Sequence, residues 1–266
     1  MMWPLPTAWA LGIAWLLAAA PTATAASAAT AQRLDVPLRG HRISLTLYRP
    51  ARAPRGTIIM ASGDVGWVGL AVARAQDLAA DGYLVVGLNS REYLSTFTGK
   101  GTHLEPADIQ ADVGSLAAFL RGRGDLPPPV LLSGVSEGAG IAVVAAASPA
   151  NHAWLSGVIT MGLPRVSELA WRWSDVTSWL TKRDAAEPSV DVLAFLPAVA
   201  PVPLVMLQAR RDEYVPAADY EAMARAALEP KRQVVIDASN HRFTDRLPAL
   251  ARAYADALDW IAGQRR

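Results

Sequence analysis

Apolar and polar residues alternate through RISLTLYRP, Arg42 to Pro50, the pattern of a strand buried on one face. The next segment, GTIIMASGD, is an unbroken apolar run ending in Ser-Gly-Asp, which predicts a central strand covered on both faces. GYLVVGLNS, PPPVLLSG, SGVITMGLP, VPLVMLQAR and RQVVIDASN predict further strands. Between them the period lengthens. Leu70 to Ala80 reads as a helix, and Ile109, Val113, Leu116 and Leu120 share one helical face between Glu105 and Arg121. The alanine-rich stretch after Ser136, Ala217 to Ala227, and Leu247 to Ile261 predict three more helices. Strands alternating with helices predict an α/β protein whose mostly parallel central sheet carries helices on both faces.

Two stretches depart from that alternation. From Arg165 to Val199 the chain is irregular and holds Trp171, Trp173 and Trp179, so an insertion at about 165–199 is expected within one domain, 29–266. The first thirty positions carry no Asp, Glu, Lys or Arg, and an apolar core from about Trp9 to Ala20 is followed by Pro21 and small residues. Ala23-Thr24-Ala25 and Ala26-Ser27-Ala28 fit the small-x-small cleavage pattern, so residues 1–28 are expected to be a secretory signal peptide and the protein periplasmic. No Lys or Arg precedes the apolar core, which keeps an uncleaved anchor as the competing reading. The run between Pro6 and Pro21 is short for a membrane span.

Composition narrows the partners. The 266 residues are 52% hydrophobic and 18% charged, with a net charge of +1 and no Lys/Arg run, so nucleic acid is not an expected partner. With no cysteine there is no disulfide, thiolate metal site or cysteine nucleophile.

The chemistry gathers at predicted strand ends. Gly134-Val135-Ser136-Glu137-Gly138 matches G-x-S-x-G between a buried strand and a helix, a turn that lifts a serine Oγ above the sheet. A tight packing turn is the plain alternative. Of four histidines, His241 follows the last strand and is the candidate base, whereas His41, His103 and His152 read as surface or capping residues. Asp212 follows the preceding strand and is the candidate orienting acid, with Asp237 and Glu213 as rivals. The oxyanion-hole donors are expected to be the backbone N–H groups of Glu137 and of Asp64, with Val65 the neighbouring candidate. The plain reading of the Ser62–Trp67 loop is a turn in which Asp64 caps the next helix. Trp67, Glu92, Tyr93 and Trp171 are candidate substrate contacts, although the insertion tryptophans also suit burial against the domain. No metal and no organic cofactor is implied.

ASGDVGWVGLA, GVSEGAG and DASNHRF together resemble the VirJ/AcvB family of bacterial periplasmic α/β-hydrolases, from about Gly56 to Ile261. In that family the first motif usually reads S-G-D-G-G-W, and Val65 replaces its central glycine here. The resemblance implies an α/β-hydrolase fold with a small cap at the insertion and a secreted serine hydrolase. Some members are linked to removing the lysyl group from lysyl-phosphatidylglycerol, which implies an aminoacyl-phospholipid ester, and others to virulence or secretion. The expectation is a hydrolase of a small-molecule or lipid ester, with contact with the membrane surface. The rival reading is a non-catalytic periplasmic binding or secretion-associated factor on the same scaffold.

Overall fold

The computed structural model describes residues 30–99, 102–170 and 188–264. The expected signal peptide and the candidate contact Trp171 lie outside the described residues. Eight strands form one sheet in the order β1 (Ala31–Leu38), β2 (His41–Tyr48), β4 (Leu84–Leu88), β3 (Thr57–Ala61), β5 (Val130–Val135), β6 (Leu155–Met161), β9 (Leu204–Ala209) and β10 (Lys231–Ile236). Only β2 runs antiparallel to its neighbours β1 and β4; all the remaining pairings are parallel.

The unbroken apolar runs are explained by two cores, one on each face. Along β3, Ile59 and Ala61 enter one core, with α3 (Pro106–Gly122) and α4 (Glu137–Ala146). Ile58 and Met60 enter the other, with α1 (Leu70–Ala80) and the helix Leu247–Gly263. Every residue of β3, β4 and β9 is buried, as a strand covered on both faces requires. Among the described residues no helix is long and apolar enough to cross a membrane.

Two elements depart from the sequence expectation. β1 is an edge strand with a largely exposed, polar pattern, AQRLDVPL, held by its eight-residue register with β2 and by the burial of Val36 and Leu38 alone. The segment after β4, where no helix is predicted from the sequence, begins with the helix α2 (Ser90–Phe97), capped by Asn89 Oδ1 accepting from Glu92 N–H at 3.3 Å. Within the expected insertion, the described residues form an antiparallel pair, β7 (Val166–Glu168) with β8 (Ser189–Asp191), and two 3-10 turns, Val192–Ala194 and Leu196–Val199.

Candidate active site

β5 ends in a turn that only small residues permit. Ser136 has φ 52° and ψ −119°, a left-handed conformation that costs a non-glycine residue about 1–3 kcal/mol. At Gly138 a Cβ would overlap the carbonyls of Ala61 and Ser62, so the glycine lets α4 start against the end of β3. Neighbouring backbone holds the turn: Ser136 N–H donates to Met161 O at 2.9 Å, and Ala139 N–H to Ser136 O at 2.8 Å.

The loop after β3 lies beside this turn, with Gly63 within 3.6–3.7 Å, measured from an ideal Cβ, of Ser136 Cβ and Val135 O. Ser62 pins the loop to the start of α2. Its Oγ accepts from Ser90 N–H at 3.1 Å and its carbonyl accepts from Ser90 Oγ at 2.7 Å. Among the described residues the N–H groups of Asp64 and Glu137 have no hydrogen-bond partner, as donors reserved for a ligand oxygen would.

Two strands further on, β9 and β10 deliver Asp212 and His241. The His241 turn is built by Asn240, whose Oδ1 accepts from Arg242 N–H at 3.1 Å and Thr244 N–H at 3.2 Å, and by Phe243, wholly buried in the core. His241 Nδ1–H donates to Asp212 Oδ2 at 2.7 Å, and the Asp212 side chain has no exposed surface. The other Asp212 oxygen accepts from Tyr214 N–H at 2.9 Å and Val215 N–H at 3.0 Å, so a buried carboxylate meets three donors. Nδ1 as donor leaves Nε2 as the lone-pair nitrogen of the neutral ring.

Of the rival acids, Glu213 accepts the backbone N–H of His241 at 2.8 Å, and Asp237 pairs with Arg210 and Arg211 at the surface. Neither is recorded against the imidazole.

Ser136 and His241 line one cavity of about 460 Å³, together with Asp64, Val65, Val68 and Tyr214. Val65, Val68 and Tyr214 are half or more exposed and give the mouth an apolar surface. The Tyr214 ring stands edge-on to the His241 ring, with centroids 5.3 Å apart. A cleft of about 900 Å³ opens elsewhere, beside Pro128, Leu155 and Pro203, at the start of the parallel strands. Its histidine, His152, is bonded to Ala146 O, and the cleft contains none of Ser136, Asp212 and His241.

Two expected substrate contacts face elsewhere. The Trp67 ring lies against Gly87 on β4, with Nε1–H donating to Tyr48 Oη at 3.1 Å, because only a glycine there leaves room for the ring. Tyr93 is 1% exposed and its hydroxyl donates to Asp112 at 2.7 Å, so it is a core residue of α2; burial pushes its phenol well above the usual range. Glu92 is half-buried in the first turn of α2 and is not among the residues lining the cavity.

Sequence reasoning did not single out Tyr214, Val68 or Arg242, which also line the cavity. Their only signal was nearness in sequence to Asp212, Trp67 and His241. Among the described residues, no group of three or more His, Asp or Glu converges as a metal site would require.

The chain shares its fold with α/β hydrolases. The esterase domain of a Rhodothermus marinus protein superposes with a TM-score of 0.60 at 19% identity, covering 88% of this chain and 99% of that one. A dienelactone hydrolase from Anabaena variabilis gives 0.59 at 18%, covering 86% and 95%. A membrane phospholipase A described as a bacterial virulence factor gives 0.62 at 16%, covering 87% of each. No curated protein matches the chain by sequence. The family of bacterial virulence proteins called VirJ matches over residues 56–260, and its span takes in the Ser136 turn, Asp212 and His241: the chain is a member of the VirJ family.

Proposed function

We propose that the protein is a serine hydrolase that cleaves a carboxylic ester through an acyl-enzyme. The observation that carries this reading is the buried Asp212–His241 hydrogen bond beside a cavity that Ser136 also lines. Ser136 Oγ attacks the carbonyl carbon while His241 Nε2 takes its proton. Asp212 keeps Nδ1 protonated and offsets the charge that the ring acquires. The carbonyl oxygen, now negative, accepts from the N–H groups of Asp64 and Glu137, and loss of one such donor costs about 10²–10³ in rate. As the tetrahedral intermediate collapses, the imidazolium returns its proton to the leaving alcohol. Water then enters by the same path in reverse order and releases the acid.

The substrate class follows from the cavity wall. Val65, Val68 and Tyr214 suit an apolar acyl or alcohol portion, and Asp64 supplies a carboxylate at the mouth for an ammonium, as an aminoacyl lipid ester carries. We further propose that residues 1–28 direct export to the periplasm and that the insertion forms a cap.

The test is labelling of fractionated cells and of purified protein with a fluorophosphonate, comparing wild type with Ser136→Ala and His241→Ala. The expected result is a labelled band in the periplasmic fraction that both substitutions abolish. A folded wild type that takes no label overturns the enzyme reading in favour of a binding role. A label confined to the cytoplasm overturns the export proposal alone.

A further inference from the structure

Glu137 is a buried acid that the steps above use only through its backbone. All ten residues of α4 are buried, so the side chain at its first position has no path to water along the helix surface. Its carboxyl group accepts from Ser167 Oγ on β7 and from the backbone N–H of Glu168. Ser167 is 2% exposed and occupies the place a side chain at Gly140, one turn along α4, would fill. Among the described residues β7 pairs only with β8 and lies outside the main sheet. The carboxyl contact is therefore a direct polar tie between this hairpin and the turn that carries Ser136.

We propose that Glu137 is a positioning residue: its buried carboxyl group, clamped by Ser167 and Glu168, fixes the first turn of α4 and with it the Glu137 N–H of the oxyanion site. The inference rests on the serine-hydrolase reading and adds a dependence on pH to it. Burial pushes the carboxyl up to about 8, and the negative charges of Glu168 on β7 and Asp64 after β3 act in the same direction, against the Ser167 and Glu168 hydrogen bonds. Of the strands on which α4 packs, β3, β5 and β6 hold no charged residue in their sequences, and β7 brings only Glu168. On α3 the buried acid, Asp112, is bound by Tyr93 and Arg39. His152 meets the far end of α4 at Ala146 O, and the 3-10 turns packed on α4 contain no charged residue. Burial and the two acidic neighbours outweigh the two hydrogen bonds that favour the anion, so the working form is neutral.

The experiment measures fluorophosphonate labelling rate from pH 6 to 10 for wild type, Glu137→Gln and Ser167→Ala, each profile normalised to its own value at pH 7, with thermal unfolding followed over the same range. A group near 8 whose neutral form is required makes the wild-type rate fall about tenfold between pH 7 and 9. Glu137→Gln reproduces the neutral group, and its profile lacks that fall. Ser167→Ala removes a hydrogen bond that favours the ionised form, and the fall moves to higher pH. An unchanged alkaline fall in Glu137→Gln, or a flat wild-type profile, overturns the inference while leaving the serine hydrolase intact. If wild type takes no label at any pH, the enzyme reading fails. The unfolding data then judge the tie alone: it stands if wild type loses stability through pH 8 and Glu137→Gln does not, and falls if the two run in parallel. Should Glu137→Gln not fold, the direction of the Ser167→Ala shift decides.

Discussion

Asp212 and Glu137 are two buried carboxyl groups past the carboxyl ends of two parallel strands, β9 and β5, and their surroundings differ in kind. Asp212 has two backbone N–H donors and the ring of His241, which gains a positive charge during the proposed reaction. Glu137 has one hydroxyl and one backbone N–H, and the charged groups acting on it are acidic. Burial is common to both. What separates them is the number of donors and whether a cation stands, or forms, nearby. In the proposed reaction one functional group takes two roles: an acid that orients a base, and a neutral clamp that shapes a turn.

The largest test of that contrast is Asp212→Asn. The amide keeps the volume but offers a donor to Nδ1 and so favours the wrong tautomer. The expected loss is about 10⁴-fold in kcat, read by ester hydrolysis with the fold checked by circular dichroism. A loss under tenfold would break the comparison, because Asp212 would then be one more buried acid.

Stability gives a test of intermediate size. The folded value of Glu137, about 8, lies above its ordinary value of 4.5, so the folded state holds the extra proton between these limits. Its contribution is full below about 4.5 and is lost as pH rises through about 8, the reverse of a salt-bridged carboxylate. Chemical denaturation of wild type should therefore give a lower free energy at pH 8.5 than at pH 5.5, and Glu137→Gln should flatten that slope. An equal slope in both proteins would return Glu137 to the ordinary class of acids.

The smallest expected effect is at Tyr214, which is 62% exposed and touches the His241 ring by its edge. Tyr214→Ala should change stability by no more than about 0.5 kcal/mol. KM for esters with an apolar acyl group should rise about three- to tenfold, the worth of one aromatic contact. A fall in kcat with KM unchanged would instead make Tyr214 a support for the imidazole.

Much of the architecture was legible because a strand covered on both faces must be apolar at every position. β3, β4 and β9 lie within the runs read from the sequence, and β5 and β6 overrun theirs by one residue each, Val135 and Leu155. β1 was not, since an edge strand held by its register with β2 needs no such run. α2 was hidden too: it is only eight residues long, and its cap, Asn89, lies inside the run GYLVVGLNS that predicts β4. At the site, the order Ser136, Asp212, His241 was visible, because each follows a run that the sequence predicts as a strand. The direction of Trp67 was not, because it is decided by the absence of a side chain at Gly87, on another strand. Tyr93 misled for a similar reason, its partner Asp112 lying on α3.

The sequence alone determined the alternation of elements and the strand ends at which a serine, an acid and a histidine appear, since hydrophobic periodicity is a local property of the chain. Tertiary structure decided which acid meets the imidazole among Asp212, Glu213 and Asp237, and it gave Glu137 its buried, acid-flanked surroundings. Those outcomes depend on desolvation and on hydrogen-bond partners such as Ser167, thirty residues from Glu137 in sequence, and only folding brings them within reach.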